Sequence, residues 1–403
     1  MTPFPIEWIV NQRATPAAAY GAAERAVLGE KEFERAWSTV TRWPGYRATP
    51  LVSLPGLARA AGIAELRYKD EGGRFGLGSF KALGGAYAVY RLLARMIAEK
   101  TGGAEPTVED FLSGRLRAQT QDVTVASATD GNHGRSVAWG ARMFGCRCVI
   151  YIHATVSEAR RAAIASYGAE VVRTPGNYDD SVRICADDSA KNGWHVISDT
   201  SYEGYRQIPC DVMQGYAVMA EEIIREIRDP PTHVFLQGGV GGLAAAVVSR
   251  FWQVWGARKP HAIVVEPARA DCLFQSAKAG TPTKATGDLD TLMAGLACGE
   301  VSLAAWDILE RGAAAFMIVP DEAAIEAMRV VASGMDGDPR IVGGESGVGG
   351  LAGLLAASVN AQAVADLGLV RESRVLVIGS EGDTDAELYE KLVGRSGDEV
   401  RAA

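Results

Sequence analysis

Two series of alternating apolar and amphipathic stretches run along the chain. The first opens at residue 122. DVTVASAT reads as a strand, residues 133–144 as a helix and CVIYIHA as the next strand. A helix over 157–166, the strand EVVRT, a helix over 179–191 and the strand WHVIS complete it. The second series opens at His233 with VFLQ as a strand, 242–255 as a helix, AIVVEP as a strand and 271–279 as a helix. AFMIV, helices over 321–333, 348–358 and 361–367, and the strand RVLVIGS follow. Continuous apolar runs between amphipathic helices predict βαβ units and buried, mostly parallel sheets. Two such series predict two three-layer α/β domains with a cleft between them.

Ahead of both series the pattern is weaker. Residues 1–50 read as irregular, with helical patches at 17–27 and 31–38 and a connection rich in Trp and Pro, RWPGYRATP. Residues 101–114, TGGAEPTVEDFLSG, read as a polar insertion without periodicity. Between them lies DEGGRFGLGSFKALGGAY. Gly72, Gly73, Gly76 and Gly78 make this segment flexible up to Lys81, and Leu83, Tyr87, Tyr90 and Met96 then follow a roughly helical spacing. Lys81 therefore stands at a helix mouth, among unpaired N–H groups and the positive end of the dipole, which favours a neutral amine. Nucleophilic chemistry on a carbonyl needs that form. Most lysines are solvated surface groups; here the downstream motifs argue otherwise.

Gln237-Gly238-Gly239-Val240-Gly241-Gly242 falls between a strand and a helix. Four glycines in five positions let successive N–H groups face one anion at a helix start, and a phosphate is the natural occupant. The pattern matches neither the nucleoside-triphosphate nor the dinucleotide glycine motif. A tight turn is the plain alternative. Thr129-Asp130-Gly131-Asn132-His133-Gly134 is a second strand-to-helix turn, in which Asp130 or Asn132 would serve as a cap. Having both beside glycines suits contact with a ligand's polar edge, Asp130 being available for proton transfer. Asp199 and Ser380 each follow a strand, at the end where ligands gather in parallel sheets. For Asp199, turn capping competes evenly. Residues 343–347, GGESG, read as a turn or an anion-binding rim. Asp383 and Asp385 echo a metal motif but lack a third ligand, so turn chemistry is favoured.

Composition narrows the choice. A chain of 403 residues with 48% hydrophobic and 22% charged residues is ordinary for a globular protein. A net charge of −8 gives no support for nucleic-acid binding. No apolar run is long enough to span a membrane, and the first residues, MTPFPIEWIVNQ, lack a signal-like pattern. A cytoplasmic protein is expected. Cys146, Cys148, Cys185, Cys210, Cys272 and Cys298 form no paired motif and are expected reduced; a redox role for Cys272 and Cys298 stays open. The five histidines show no metal-ligand spacing, so no metal site is indicated, and packing or capping is the expected role of several.

One cofactor links the pieces. Pyridoxal phosphate needs an amine for a Schiff base, an anion cradle, and groups for its ring hydroxyl and ring nitrogen. Lys81, the loop Gly238, Gly239, Val240, Gly241 and Gly242, Asn132 and Ser380 supply these in that order.

From about residue 51 to 385 the chain resembles the pyridoxal-phosphate enzymes of fold type II, the tryptophan-synthase β-like group. The resemblance rests on SFK at Lys81, the G-N-H-G turn, the GGVGG loop and the terminal serine. Within the group, TDGNHG, GRFGLGSFKALGGAYA, ISDTSYEGY, LMAGLACGE and SEGDTD resemble the diaminopropionate ammonia-lyases. Serine and threonine dehydratases usually carry serine or alanine where Asp130 stands. The resemblance implies a large cofactor-binding domain over 1–82 and 218–403, a small domain over 83–217, and an active site in the cleft. It further implies elimination of ammonia from D- and L-2,3-diaminopropionate, a small amino-acid substrate, to leave pyruvate, and a homodimer. Lys81 and Asp130 would then be bases for opposite enantiomers, and Asp199 would hold the distal amine. The nearest alternative is a serine/threonine dehydratase on the same scaffold.

Overall fold

The computed structural model describes residues 1–129 and 131–403, in two units. Met1–Glu30, Ala48–Phe80 and Met219–Ala403 make the first, Lys31–Arg47 and Lys81–Val218 the second.

The first unit is built on a seven-stranded sheet. Its strands are β1 (Glu7–Val10), β2 (Leu51–Ser53), β3 (Glu65–Asp70), β8 (His233–Gln237), β9 (His261–Pro267), β10 (Ala315–Val319) and β11 (Arg374–Gly379), in the spatial order β1-β10-β9-β8-β11-β3-β2. β1 and β2 run antiparallel at the two edges; all other pairings are parallel. Every residue of β8 and β10 is buried, as an uninterrupted apolar run on a sheet covered on both faces requires. Leu66, Phe235, Val265, Met317, Leu351 and Val377 share one core. Helix Gly349–Ser358 is apolar on all sides and buried through Ala357, as befits an element with no solvent face. Because β8, β11 and β3 are parallel neighbours, their carboxyl ends at Gln237, Gly379 and Asp70 share one sheet edge.

The second unit holds β4 (Thr124–Ala128), β5 (Arg147–Ile152), β6 (Glu170–Arg173) and β7 (His195–Val196), all parallel, in the order β6-β5-β4-β7. Adjacent β4 and β7 bring Thr129 and the 197–199 segment to one edge. Helix Lys81–Thr101 packs closely on helix Asn132–Phe144. A Cβ at Gly140 would lie 2.7 Å from the Ala86 Cα, and one at Gly85 2.6 Å from the Ser136 Oγ, so glycine alone permits this approach.

Several elements were not visible in the pattern: the edge strand β1, helix Leu303–Gly312, and short helices Val108–Leu112, inside the polar insertion, and Arg117–Thr120, just after it. Helix Gln207–Glu226 is the largest of them, contributing Val212 and Tyr216 to the second unit and Glu222 to the first. The N-terminal segment is also less irregular than expected. Residues 31–47 group with the second unit, where the Trp43 ring meets Trp139 edge-on at 5.6 Å. Among the described residues no helix is long and apolar enough to cross a membrane.

Candidate active site

Lys81 is the first residue of helix Lys81–Thr101. The chain ahead of it is fastened down: Phe80 N–H donates to the Ser380 carbonyl at 2.9 Å and Gly382 N–H to the Gly78 carbonyl at 2.9 Å. The Lys81 Nζ donates to Asp199 Oδ2 at 2.5 Å, with both side chains largely buried. The helix start argues for a neutral amine; a carboxylate oxygen at this distance argues for the ammonium and is the stronger effect. Burial pushes the Asp199 carboxyl up, but the Lys81 charge and its hydrogen bond outweigh it and hold the group well below the usual carboxylate range. Asp199 is therefore ionised and engaged in an ion pair, which answers the competing expectation of a turn cap. The Lys81 Nζ also lies 5.8 Å from the centre of the Tyr216 ring. Burial keeps that phenol protonated. Tyr216 carried no signal in the sequence.

The turn after β4 is organised by Thr129. Its Oγ1 accepts from Gly131 N–H at 3.0 Å and Gly134 N–H at 3.1 Å. Thr129 thus caps the turn, and Asn132 is the first residue of its helix rather than its cap. Asp130 lies outside the described residues. His133 is buried, its Nε2 3.0 Å from the Ile197 carbonyl and its Nδ1 3.9 Å from Asp199 Oδ2.

In the first unit the glycine loop leaves β8 and enters helix Gly242–Trp255 with no side-chain cap. Gly239 and Gly241 have φ of +62° and +98°, which disfavour residues bearing a Cβ. The opening N–H groups of this helix have no intrahelical partner, which makes this helix start suited to an anion. On the same edge, Ser380 Oγ is 3.2 Å from Gln237 Nε2, which also donates to the Gly347 carbonyl at 2.5 Å and the Ile378 carbonyl at 2.6 Å. Both Nε2 protons face acceptors, leaving the serine hydroxyl able to donate elsewhere. Gln237 was read only as the start of the loop, though a polar residue ending the apolar strand VFLQ was its available signal. Ser346 Oγ accepts from Gly295 N–H at 2.9 Å, so the GGESG segment is a braced turn.

Asp385 caps helix Ala386–Val393 and Asp383 pairs with Arg401, occupying both in turn and surface chemistry. Cys272 lies under the loop, its Sγ 3.5 Å from the Gly239 carbonyl, and burial pushes its thiol far up. Among the described residues none of the six cysteines forms a disulfide.

An anion cradle at a helix start, a hydroxyl with a donor to spare and a lysine held by a carboxylate fit the phosphate, ring nitrogen and aldehyde of pyridoxal phosphate. The model of the family "Pyridoxal-phosphate dependent enzyme" matches residues 42–380. Diaminopropionate ammonia-lyase of Escherichia coli K12 is 42% identical over 356 residues, covering 87% of this chain and 88% of that protein. The crystal structure of the holo E. coli enzyme superimposes with a TM-score of 0.88 at 37% identity, covering 97% of each chain. The same enzyme in complex with an aminoacrylate–pyridoxal-phosphate azomethine intermediate gives 0.85 at 37% identity, again covering 97% of each. The cofactor of this chain is accordingly pyridoxal phosphate, and the chain belongs to the pyridoxal-phosphate dependent enzymes of fold type II, within them to the diaminopropionate ammonia-lyases.

Proposed function

We propose that the protein eliminates ammonia from both enantiomers of 2,3-diaminopropionate, leaving pyruvate. The observation that carries this reading is the Lys81–Asp199 pair, a nitrogen held by a buried, ionised carboxylate at 2.5 Å. A carboxylate in that state suits a substrate with a cationic distal amine better than one with a distal hydroxyl.

Bound pyridoxal phosphate supplies the electron sink that acidifies the substrate's Cα–H bond. The N–H groups of residues 238–242 would hold its phosphate, Asn132 its ring hydroxyl, and Ser380 would donate to its ring nitrogen. Lys81 Nζ, at the mouth of its helix, would take the Cα proton of one enantiomer. Asp130 would take it from the opposite face in the other; this role rests on the sequence motif alone. Asp199 would hold the distal ammonium, so that it departs as neutral ammonia. The released enamine hydrolyses in water without a further group.

A cytoplasmic location belongs to the same proposal and is supported by six cysteines outside any disulfide, the state favoured in a reducing compartment. So does a homodimer, which rests on the family resemblance and is checked by gel filtration with light scattering.

The test is pyruvate release from D- and L-2,3-diaminopropionate with D- and L-serine alongside. Both diamino enantiomers are expected to outperform serine. Asp130→Asn is expected to lose roughly 100-fold or more on one enantiomer and little on the other. Equal losses sink the two-base reading, and a preference for serine makes the protein a dehydratase.

A further inference from the structure

The mechanism above leaves a buried polar atom beside Asp199 unexplained. His133 is 7% exposed and its Nδ1 has no hydrogen-bond partner among the described residues. Its other ring nitrogen settles the tautomer. Nε2 lies 3.0 Å from the Ile197 carbonyl oxygen, which can only accept, so Nε2 carries the proton. Burial, reinforced by the Lys81 charge, pulls the imidazole below its ordinary value against the opposing pull of Asp199. The ring is then neutral and Nδ1 presents a lone pair.

That lone pair faces Asp199 Oδ2 at 3.9 Å. Oδ2 accepts from Lys81 Nζ at 2.5 Å, but Nδ1 has no donor among the described residues, an arrangement that costs free energy unless a third group supplies one. A nitrogen about 2.9 Å from each acceptor would see them roughly 85° apart, within reach of two N–H bonds of one ammonium group. A hydroxyl carries one proton and can donate to only one of the two.

We propose that His133 Nδ1 and Asp199 Oδ2 together bind the distal amine of the substrate, making His133 a residue that selects a β-amino over a β-hydroxy amino acid. This rests on the reading of the protein as a diaminopropionate ammonia-lyase and adds the device that separates it from a serine dehydratase. Asp199 can accept from Lys81 and from the substrate together, since a carboxylate offers about four lone-pair sites. Rejection of a substrate that leaves a buried acceptor empty is a stronger discrimination than shape provides.

The test uses holoenzyme carrying His133→Gln, whose amide nitrogen can still donate to the Ile197 carbonyl while no acceptor remains at the Nδ1 position. His133→Asn is the companion, returning an amide oxygen near Nδ1. The expected result is a fall of roughly 10- to 100-fold in kcat/KM for 2,3-diaminopropionate in His133→Gln, with serine turnover within about threefold, and partial recovery of the preference in His133→Asn. Equal losses on both substrates would show that the histidine only positions Asp199 and would overturn the proposal. An independent readout is ¹⁵N NMR of histidine-labelled wild-type holoenzyme, with His133 assigned by its loss in either variant. Nδ1 must be unprotonated and Nε2 protonated at neutral pH; a protonated Nδ1 overturns the proposal whatever the kinetics. A wild-type enzyme that prefers serine defeats the underlying function instead, an outcome separable from the other two.

Discussion

Glu266 illustrates how one side chain under the glycine loop couples the site to pH. Its carboxylate accepts from Leu273 N–H at 3.0 Å and Phe274 N–H at 2.7 Å, and a Cβ on Gly238 would lie 2.5 Å from its Cγ. Burial pushes it up to about 8 despite those two donors. Between its ordinary value of 4.5 and about 8 the folded protein keeps a proton that the unfolded chain has released. Its contribution to stability is therefore fully present below 4.5 and is lost as pH rises through 8. Glu266→Gln, which cannot ionise, is expected to lose about 2–4 kcal/mol less than wild type between pH 5 and 9 in urea unfolding. Parallel pH profiles would mean that Glu266 is already ionised in the native state. At this scale the sequence was uneven. Lys81 and Asp199 announced themselves by position, one after a glycine segment and one after a strand. His133 and Gln237 did not, because their roles come from carbonyls at Ile197, Gly347 and Ile378 that are brought near only by folding.

Among the elements, the strand–loop–helix unit at β8 makes the clearest prediction. Gly241 has φ +98°, and a Cβ there would meet the Ala305 Cβ at 3.1 Å and the Leu309 Cδ1 at 3.2 Å. Gly241→Ala is expected to cost about 1–2 kcal/mol of backbone strain. It should also weaken cofactor binding by roughly tenfold, followed as absorbance when pyridoxal phosphate is titrated into apo-protein. Unchanged affinity would remove this loop from the phosphate site. Elements of the two apolar series were legible because each buries one face or two on a sheet. Helix Gln207–Glu226 was not, since buried side chains such as Val212, Tyr216, Val218 and Ile223 surround much of it and leave no clean stripe.

At the scale of the whole molecule, a buried ionic cluster joins distant parts of the first unit. Arg74 donates to Glu71 through Nε at 2.8 Å and Nη2 at 2.7 Å, and to Glu222 through Nη1 and Nη2, both at 2.7 Å. Lys69 Nζ pairs with Glu222 at 2.8 Å and donates to the Thr49 carbonyl at 2.7 Å. Two cations and two carboxylates are all at most 1% exposed. Arg74→Met leaves two buried carboxylates sharing one lysine and is expected to cost about 3–5 kcal/mol in urea unfolding. A loss under about 1 kcal/mol would show that water reaches the cluster. Nothing in YKDEGGRF, read alone, separates this from a solvated charged turn. The sequence by itself determined the α/β class, the lysine, the glycine loop and the cofactor they imply, because these follow from local periodicity and from chemistry confined to short segments. Only the tertiary structure decided which charges are buried, that Thr129 caps the turn, that Lys81 meets Asp199, and that His133 faces the same carboxylate. Those outcomes depend on strand order and helix packing, which bring together residues up to 148 positions apart.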